Sequence, residues 1–158
     1  MARLSLIRID YRMIHGQTVT KWMNYNPVDR IVLVNDELAD DEFLSDIYRF
    51  AANGKPTDIC HMSEMEEVLN KNDDKVLLIF KDVSDAYKCM ENGFKLPELN
   101  VGAVQKGPGR VDICAGVSLS KEEVEMLTKI EESGTHVFLQ PIPERSPQTF
   151  DSIKNKFK

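Results

Sequence analysis

The chain has 158 residues, is 42% hydrophobic and 29% charged, and sets 20 Lys and Arg against 26 Asp and Glu for a formal net charge of −6. These proportions exclude a disordered or fibrous chain, and the length suits a single domain, residues 1–158, with a two- or three-layer core. The negative charge argues against a surface-wide nucleic-acid or acidic-membrane footprint, and the local basic candidates, Lys106, Arg110, Lys154, Lys156 and Lys158, read as solvated surface.

The first element is an apolar run, Leu4 to Ile9, that reads as a strand and leads through a polar turn into the helical pattern of Val19 to Met23. Asn26 and Pro27 break that pattern, and Arg30 to Val34 is a β-branched run suited to a buried parallel strand. Behind an acidic start at Asp40 to Glu42, Phe43, Leu44, Ile47, Phe50 and Ala51 recur at helical spacing until Gly54 and Pro56. Thr57 to His61 is a weaker strand, and Ser63 with Glu66 forms a capping-box pattern for a helix through Val68 and Leu69.

Lys75 to Phe80, with VLLIF uninterrupted by polar residues, is the clearest buried strand; a helix striped by Val83, Ala86, Tyr87 and Met90 follows, with Gly93 past its end. Asn100 to Val104 is a short strand, Gly107 to Gly109 a turn, and Arg110 to Leu119 a further strand, so this region is a hairpin or a crossing edge. A second capping box, Ser120 with Glu123, opens a helix with Val124, Leu127 and Ile130 inward and Gly134 at its end. Val137 to Gln140 is the last strand. The alternation predicts an α/β fold: a single-domain, open, mostly parallel sheet with helices on both faces and one antiparallel edge or hairpin.

Cys60, Cys89 and Cys114 are odd in number and widely spaced, the pattern of buried free thiols in a reducing compartment rather than of disulfides or a CxxC metal site. With no secretory pattern at the start and no apolar stretch near ~20 residues, a cytoplasmic protein is expected, any membrane connection coming through a partner.

The turn RIDYRMIHGQ, Arg8 to Gln17, holds the chemistry. A strand-to-helix turn in an open α/β sheet points the free N–H groups of the new helix into the crevice. An imidazole there is mostly neutral and nucleophilic near pH 7, and the helix dipole should lower its pKa further. His15 is therefore the candidate phosphoryl acceptor, Arg12 the fork that holds the anion, Gly16 a point of close backbone approach and Gln17 a further donor. Arg8 could assist or could pair with Asp10, and the whole cluster could instead be a set of surface ion pairs. His61 and His136 lack this setting and read as structural.

RIDYRMIHGQ with Trp22, LVNDELADDE from Leu33 to Glu42, and NVG from Asn100 to Gly102 together resemble the IIB component of the mannose/fructose/sorbose/N-acetylgalactosamine class of the bacterial phosphoenolpyruvate:sugar phosphotransferase system. The resemblance covers nearly the full chain. It implies that His15 takes a phosphoryl group on Nδ1 from a phosphohistidine of a IIA protein and passes it to a sugar at the IIC/IID permease. Arg12, Gly16 and Gln17 then occupy the anion-binding surroundings, and Asp10 organises the loop by bonding Arg12 or backbone N–H groups. No metal or organic cofactor is implied, and the expected location is cytoplasmic, peripheral to the permease. Thr18, where valine is frequent, and Ala103, where glycine is frequent, depart from the pattern without touching His15 or Arg12.

Two other readings compete. IHGQT is similar to the RHG start of histidine phosphatases, but Ile14 stands where those enzymes need arginine. In a non-catalytic, anion-binding regulatory module His15 would merely hydrogen-bond a ligand phosphate, while a receiver-like domain using Asp10, Asp36 and Lys81 leaves the histidine-glycine turn without a role. Asp36 itself reads as a helix start or loop brace.

Overall fold

The computed structural model of the protein describes residues 1–157, apart from the side chains of Gln17 and Thr18. Strand β1 (Arg3–Asp10) runs into helix α1 (Gly16–Tyr25), which stops where the Asn26 N–H closes on the Trp22 carbonyl ahead of Pro27. Strand β2 (Arg30–Val34) is buried along its whole length. A short helix α2 (Asp36–Ala39), opening at the residue read as a helix start or loop brace, follows because the Asn35 side chain accepts the Leu38 N–H; α3 (Glu42–Ala51) begins behind an Asp41 cap of the same kind.

β3 (Thr57–Cys60) ends in a 3₁₀ turn over Met62–Glu64 before α4 (Met65–Leu69). The capping residue is His61, whose backbone N–H donates to Glu64, so Ser63 lies inside the turn and the expected Ser63–Glu66 box does not form. β4 (Lys75–Phe80), α5 (Val83–Glu91) and β5 (Glu98–Ala103) follow as expected. The run Arg110 to Leu119 is not one strand. It folds at Ala115–Gly116, with Gly116 in the left-handed region at φ 85°, into the hairpin β6 (Arg110–Cys114) and β7 (Val117–Ser120).

The Ser120–Glu123 capping box is present at α6 (Lys121–Glu132), whose Val124, Leu127 and Ile130 are buried. β8 (His136–Leu139) is followed by two elements beyond the expected last strand, β9 (Gln148–Thr149) and α7 (Phe150–Lys154). Phe150 and Ile153 close the core at that end.

The main sheet has the order β3-β2-β4-β1-β5-β8-β9, parallel throughout except at the antiparallel β9 edge; β6 and β7 form a separate antiparallel pair. One face packs on α1, α2 and α3 through Ile14, Val19, Leu33, Leu38 and Ile79. The other packs on α4, α5, α6 and α7 through Leu69, Ala86, Leu127 and Ile153. β1 sits centrally, its helix going to the first face while β5 leads on toward helices of the second. That divergence opens a crevice at the carboxyl ends of β1 and β5.

The apolar stripe of α3 faces away from the core. Ser45, Tyr48 and Ala52 turn inward, whereas Phe43, Leu44, Ile47 and Phe50 are exposed. Cys60 and Cys89 are buried free thiols, both pushed up to about 12 by burial, and Cys114 is half-buried. The basic candidates do not act together: Lys106 lies near Asp112, Arg110 pairs with Glu123, Lys154 with Glu131 and Asp151, and Lys156 donates to the Ile113 carbonyl. Lys158 lies outside the described residues.

Candidate functional site

Arg8 and Asp10 are two residues apart on β1 and so leave the same face of the sheet, the α1 side, while Ile7 and Ile9 enter the opposite core. The chain then turns tightly. The Met13 N–H donates to the Asp10 carbonyl at 2.9 Å, and the Arg12 N–H donates to Asp10 Oδ1 at 2.9 Å. Met13 takes a left-handed conformation, φ 60°, uncommon outside glycine and held here because its side chain and that of Ile14 are buried against the α1-side core. His15 emerges as the N-cap of α1, in extended backbone, with the open first turn of the helix beside it.

Asp10, 1% exposed, is the hub. Its Oδ2 lies 3.4 Å from Arg8 Nε and 3.4 Å from His15 Nε2, and its Oδ1 lies 3.8 Å from Arg12 Nε. Arg8 Nε and His15 Nε2 are themselves buried and make no full hydrogen bond, so attraction to this one carboxylate holds them. The His15 imidazole is pushed below its ordinary pKa chiefly by burial, and further by the Arg12 and Arg8 cations, with Asp10 opposing. The direction is the one expected from sequence.

Arg8 is enclosed and serves as a brace. It donates to the Gln140 carbonyl at 3.1 Å and the Pro141 carbonyl at 2.9 Å, and its guanidinium lies 5.3 Å from the Trp22 ring centre. Burial lowers its pKa, with Asp10 opposing. Asn100 secures the same segment from both sides, donating to the Gln140 carbonyl at 3.0 Å and accepting the Gln140 N–H at 2.9 Å. Gly102 is where β5 bulges against β1, since Ile9 pairs with Val101 and Asp10 with Ala103. The Arg8 guanidinium covers that spot so closely that any Cβ would collide with it. None of these partners was assigned from sequence, although a glycine inside a strand is the ordinary sign of such an approach.

Arg12, by contrast, is half-exposed, its guanidinium 5.6 Å from the centre of the Tyr11 ring. At Gly16 a Cβ would meet nothing within 4 Å and φ is not positive, so neither packing nor torsion demands glycine there. The side chain of Gln17 lies outside the described residues. Beside the turn, Met13, Asn35, Leu38, Leu44, Tyr48 and Lys81 line an open depression of about 270 Å³. Asp36 starts α2 and accepts the Met62 N–H at 2.8 Å, bracing two loops.

The other histidines are accounted for by their neighbours: His61 bridges Asp40 at 2.7 Å and Glu64 at 2.6 Å, and His136 stacks on Phe138. Ile14 is buried in the core, so the arginine-histidine pair of the phosphatases has no counterpart. Asp10, enclosed by Arg8 and His15, is not presented as a receiver aspartate would be.

Residues 4–158 match the family described as PTS system sorbose subfamily IIB component. The crystal structure of manxB from Thermoanaerobacter tengcongensis superposes with a TM-score of 0.92 at 34% identity, covering 99% of this chain and 98% of that one. The fructose-specific EIIB component of Bacillus subtilis is 27% identical over 157 residues, 97% of this chain and 96% of that protein. The mannose-specific EIIAB component of Escherichia coli is 28% identical over 143 residues, and there the chain spans only 44% of the relative's length. The chain belongs to the sorbose-subfamily IIB components of the phosphotransferase system. Among the described residues, no helix is long and apolar enough to cross a membrane.

Proposed function

We propose that the whole chain works as one IIB domain that carries a phosphoryl group on His15 from a phosphorylated IIA protein to a sugar at a IIC/IID permease, acting at the cytoplasmic side of the membrane. The observation that carries this reading is the orientation of His15: Nε2 is turned inward to the buried Asp10. The nearby carboxylate favours the tautomer with its proton on Nε2, which leaves the lone pair on Nδ1 as the nucleophile.

In the first transfer, Nδ1 attacks phosphorus in line, and the phosphorus–nitrogen bond of the donor histidine breaks with its electron pair returning to that ring. In the second, a sugar hydroxyl attacks phosphorus, its proton leaves to a base or solvent, and the bond to His15 breaks. Arg12 and the open N–H groups at the start of α1 offset the charge on the phosphoryl oxygens. The absence of any packing or torsional need for glycine at position 16 supports a requirement for close approach by a ligand or partner. Arg8 and Asp10 position the turn from beneath. The fructose-, sorbose- and mannose-specific names of the relatives support a sugar as the substrate class, whichever one the permease admits.

The test is incubation with phosphorylated IIA followed by mass spectrometry. One acid-labile phosphate mapping to the His15 peptide is expected, with His15→Ala unlabelled and Arg12→Ala labelled about 10²-fold more slowly. Label retained in folded His15→Ala would overturn the reading.

A further inference from the structure

We propose that the outer face of α3 is a two-fold interface through which two copies of this chain pair with their α3 helices antiparallel. The helix presents hydrocarbon to solvent in a concentrated form: Phe43 is 76% exposed, Phe50 90%, and Leu44 and Ile47 42% and 49%. An aromatic side chain carries roughly 150–250 Å², so the four residues together offer about 450 Å², within the roughly 300–600 Å² of the largest patch on a typical monomer, which is often an interaction site.

Two observations select a second copy as the occupant. The first is the spacing. Phe43 and Phe50 stand two helical turns apart with Ile47 between them. A two-fold axis near Ile47 sets Phe43 against Phe50 of the second copy, and the reverse, with the two Ile47 side chains meeting at the centre. A self-complementary patch of this kind closes as a dimer rather than growing as a filament.

The second is the charge. Glu42 and Asp46 flank the stripe toward the N-terminal half and Arg49 toward the C-terminal half. Antiparallel pairing brings each Arg49, which already neutralises Asp46 of its own helix at 3.0 Å, toward the end that carries Glu42 of the other copy, whereas parallel pairing sets Glu42 on Glu42. The apolar centre of the pair amounts to about 900 Å² over both copies. The exposed rim of Glu37, Glu42, Asp46, Arg49 and Asn53 then has to supply only a few hundred Å² more to reach the roughly 1,200–2,000 Å² of a stable interface.

The experiment is sedimentation equilibrium of the full chain from micromolar to millimolar concentration, with thermal melts as a control for folding. A monomer–dimer equilibrium is expected. Phe43→Ser and Phe50→Ser should each weaken it about thirtyfold or more, without lowering the melting temperature of the monomer. Ile47→Cys should cross-link to itself on mild oxidation, and Val111→Cys, an exposed apolar site on the β6–β7 hairpin, should not. A wild-type chain monomeric throughout, a dimer indifferent to both phenylalanine changes, or cross-linking no better at position 47 than at 111 would each overturn the proposal.

Discussion

The turn after β1 and the outer face of α3 depart from the usual distribution of residues in opposite directions. The turn buries a carboxylate, an arginine and one edge of an imidazole, and the helix exposes two phenylalanines, a leucine and an isoleucine. Removing charge from water is costly unless it is answered, and around Asp10 the charges are paired although Arg8 Nε and His15 Nε2 lack a full hydrogen bond: Arg8 is held by two carbonyls and a carboxylate, and the carboxylate in turn by a backbone N–H. Exposing hydrocarbon costs the folded monomer much less, because those side chains are as wet in the unfolded chain. One region therefore has to be stabilised by the rest of the fold, and the other leaves stability to be gained on association.

That contrast sets the order of effects. Asp10→Asn should have the largest, since it leaves Arg8 buried without its counter-charge, at a cost of about 3–5 kcal/mol. A fall in melting temperature of roughly 10 °C is expected, together with slower phosphoryl transfer as His15 loses its restraint. Gly102→Ala comes next. Its Cβ displaces the Arg8 guanidinium, and calorimetry should show a loss of about 1–3 kcal/mol. Phe50→Ser, on the exposed face, should change monomer stability by less than about 0.5 kcal/mol. A loss there as large as that of Asp10→Asn would break the comparison.

Asp85, on α5, lies 3.4 Å from Asn35, which borders the depression that also touches Met13 and Leu44. Burial and the charge of Asp82 raise it from 3.8 to about 6. The folded state thus holds this proton more tightly than the unfolded state. The associated stability is present below pH 4 and is lost as pH rises through about 6. Asp85→Asn should therefore stabilise the protein at pH 8 by about 1–2 kcal/mol, allowing for partial solvation, and do little at pH 4. Equal gains at both pH values would show that charge is not the cause.

Where the sequence alone was sufficient, the reason is local. Arg30–Val34 and Lys75–Phe80 contain no polar residue after the first, as a strand covered on both faces requires, and Ser120 with Glu123 satisfies a helix start within one turn. His15, Arg12 and Asp10 were legible because they share ten residues of chain. Arg8 was legible as a partner of Asp10 that shapes the loop, but its hold on the far segment was not, since the carbonyls it binds lie 132 and 133 residues away.

The stripe of α3 misled for a different reason. Periodicity reveals that a helix has an apolar face but not whether its own chain covers that face; here Ser45, Tyr48 and Ala52 meet the core instead. Ala115–Gly116 carries a turn inside an otherwise strand-like run, and β9 with α7 offers two and five residues, too few for a period to declare itself.

The central claim is that His15 carries the phosphoryl group on the ring nitrogen turned away from Asp10. Nitrogen–phosphorus coupling in the NMR spectrum of the ¹⁵N-labelled, phosphorylated protein tests it most directly. The account predicts a single phosphohistidine at His15 with phosphorus bonded to Nδ1 and a proton on Nε2. Phosphorus on Nε2, or on any residue other than His15, would contradict it.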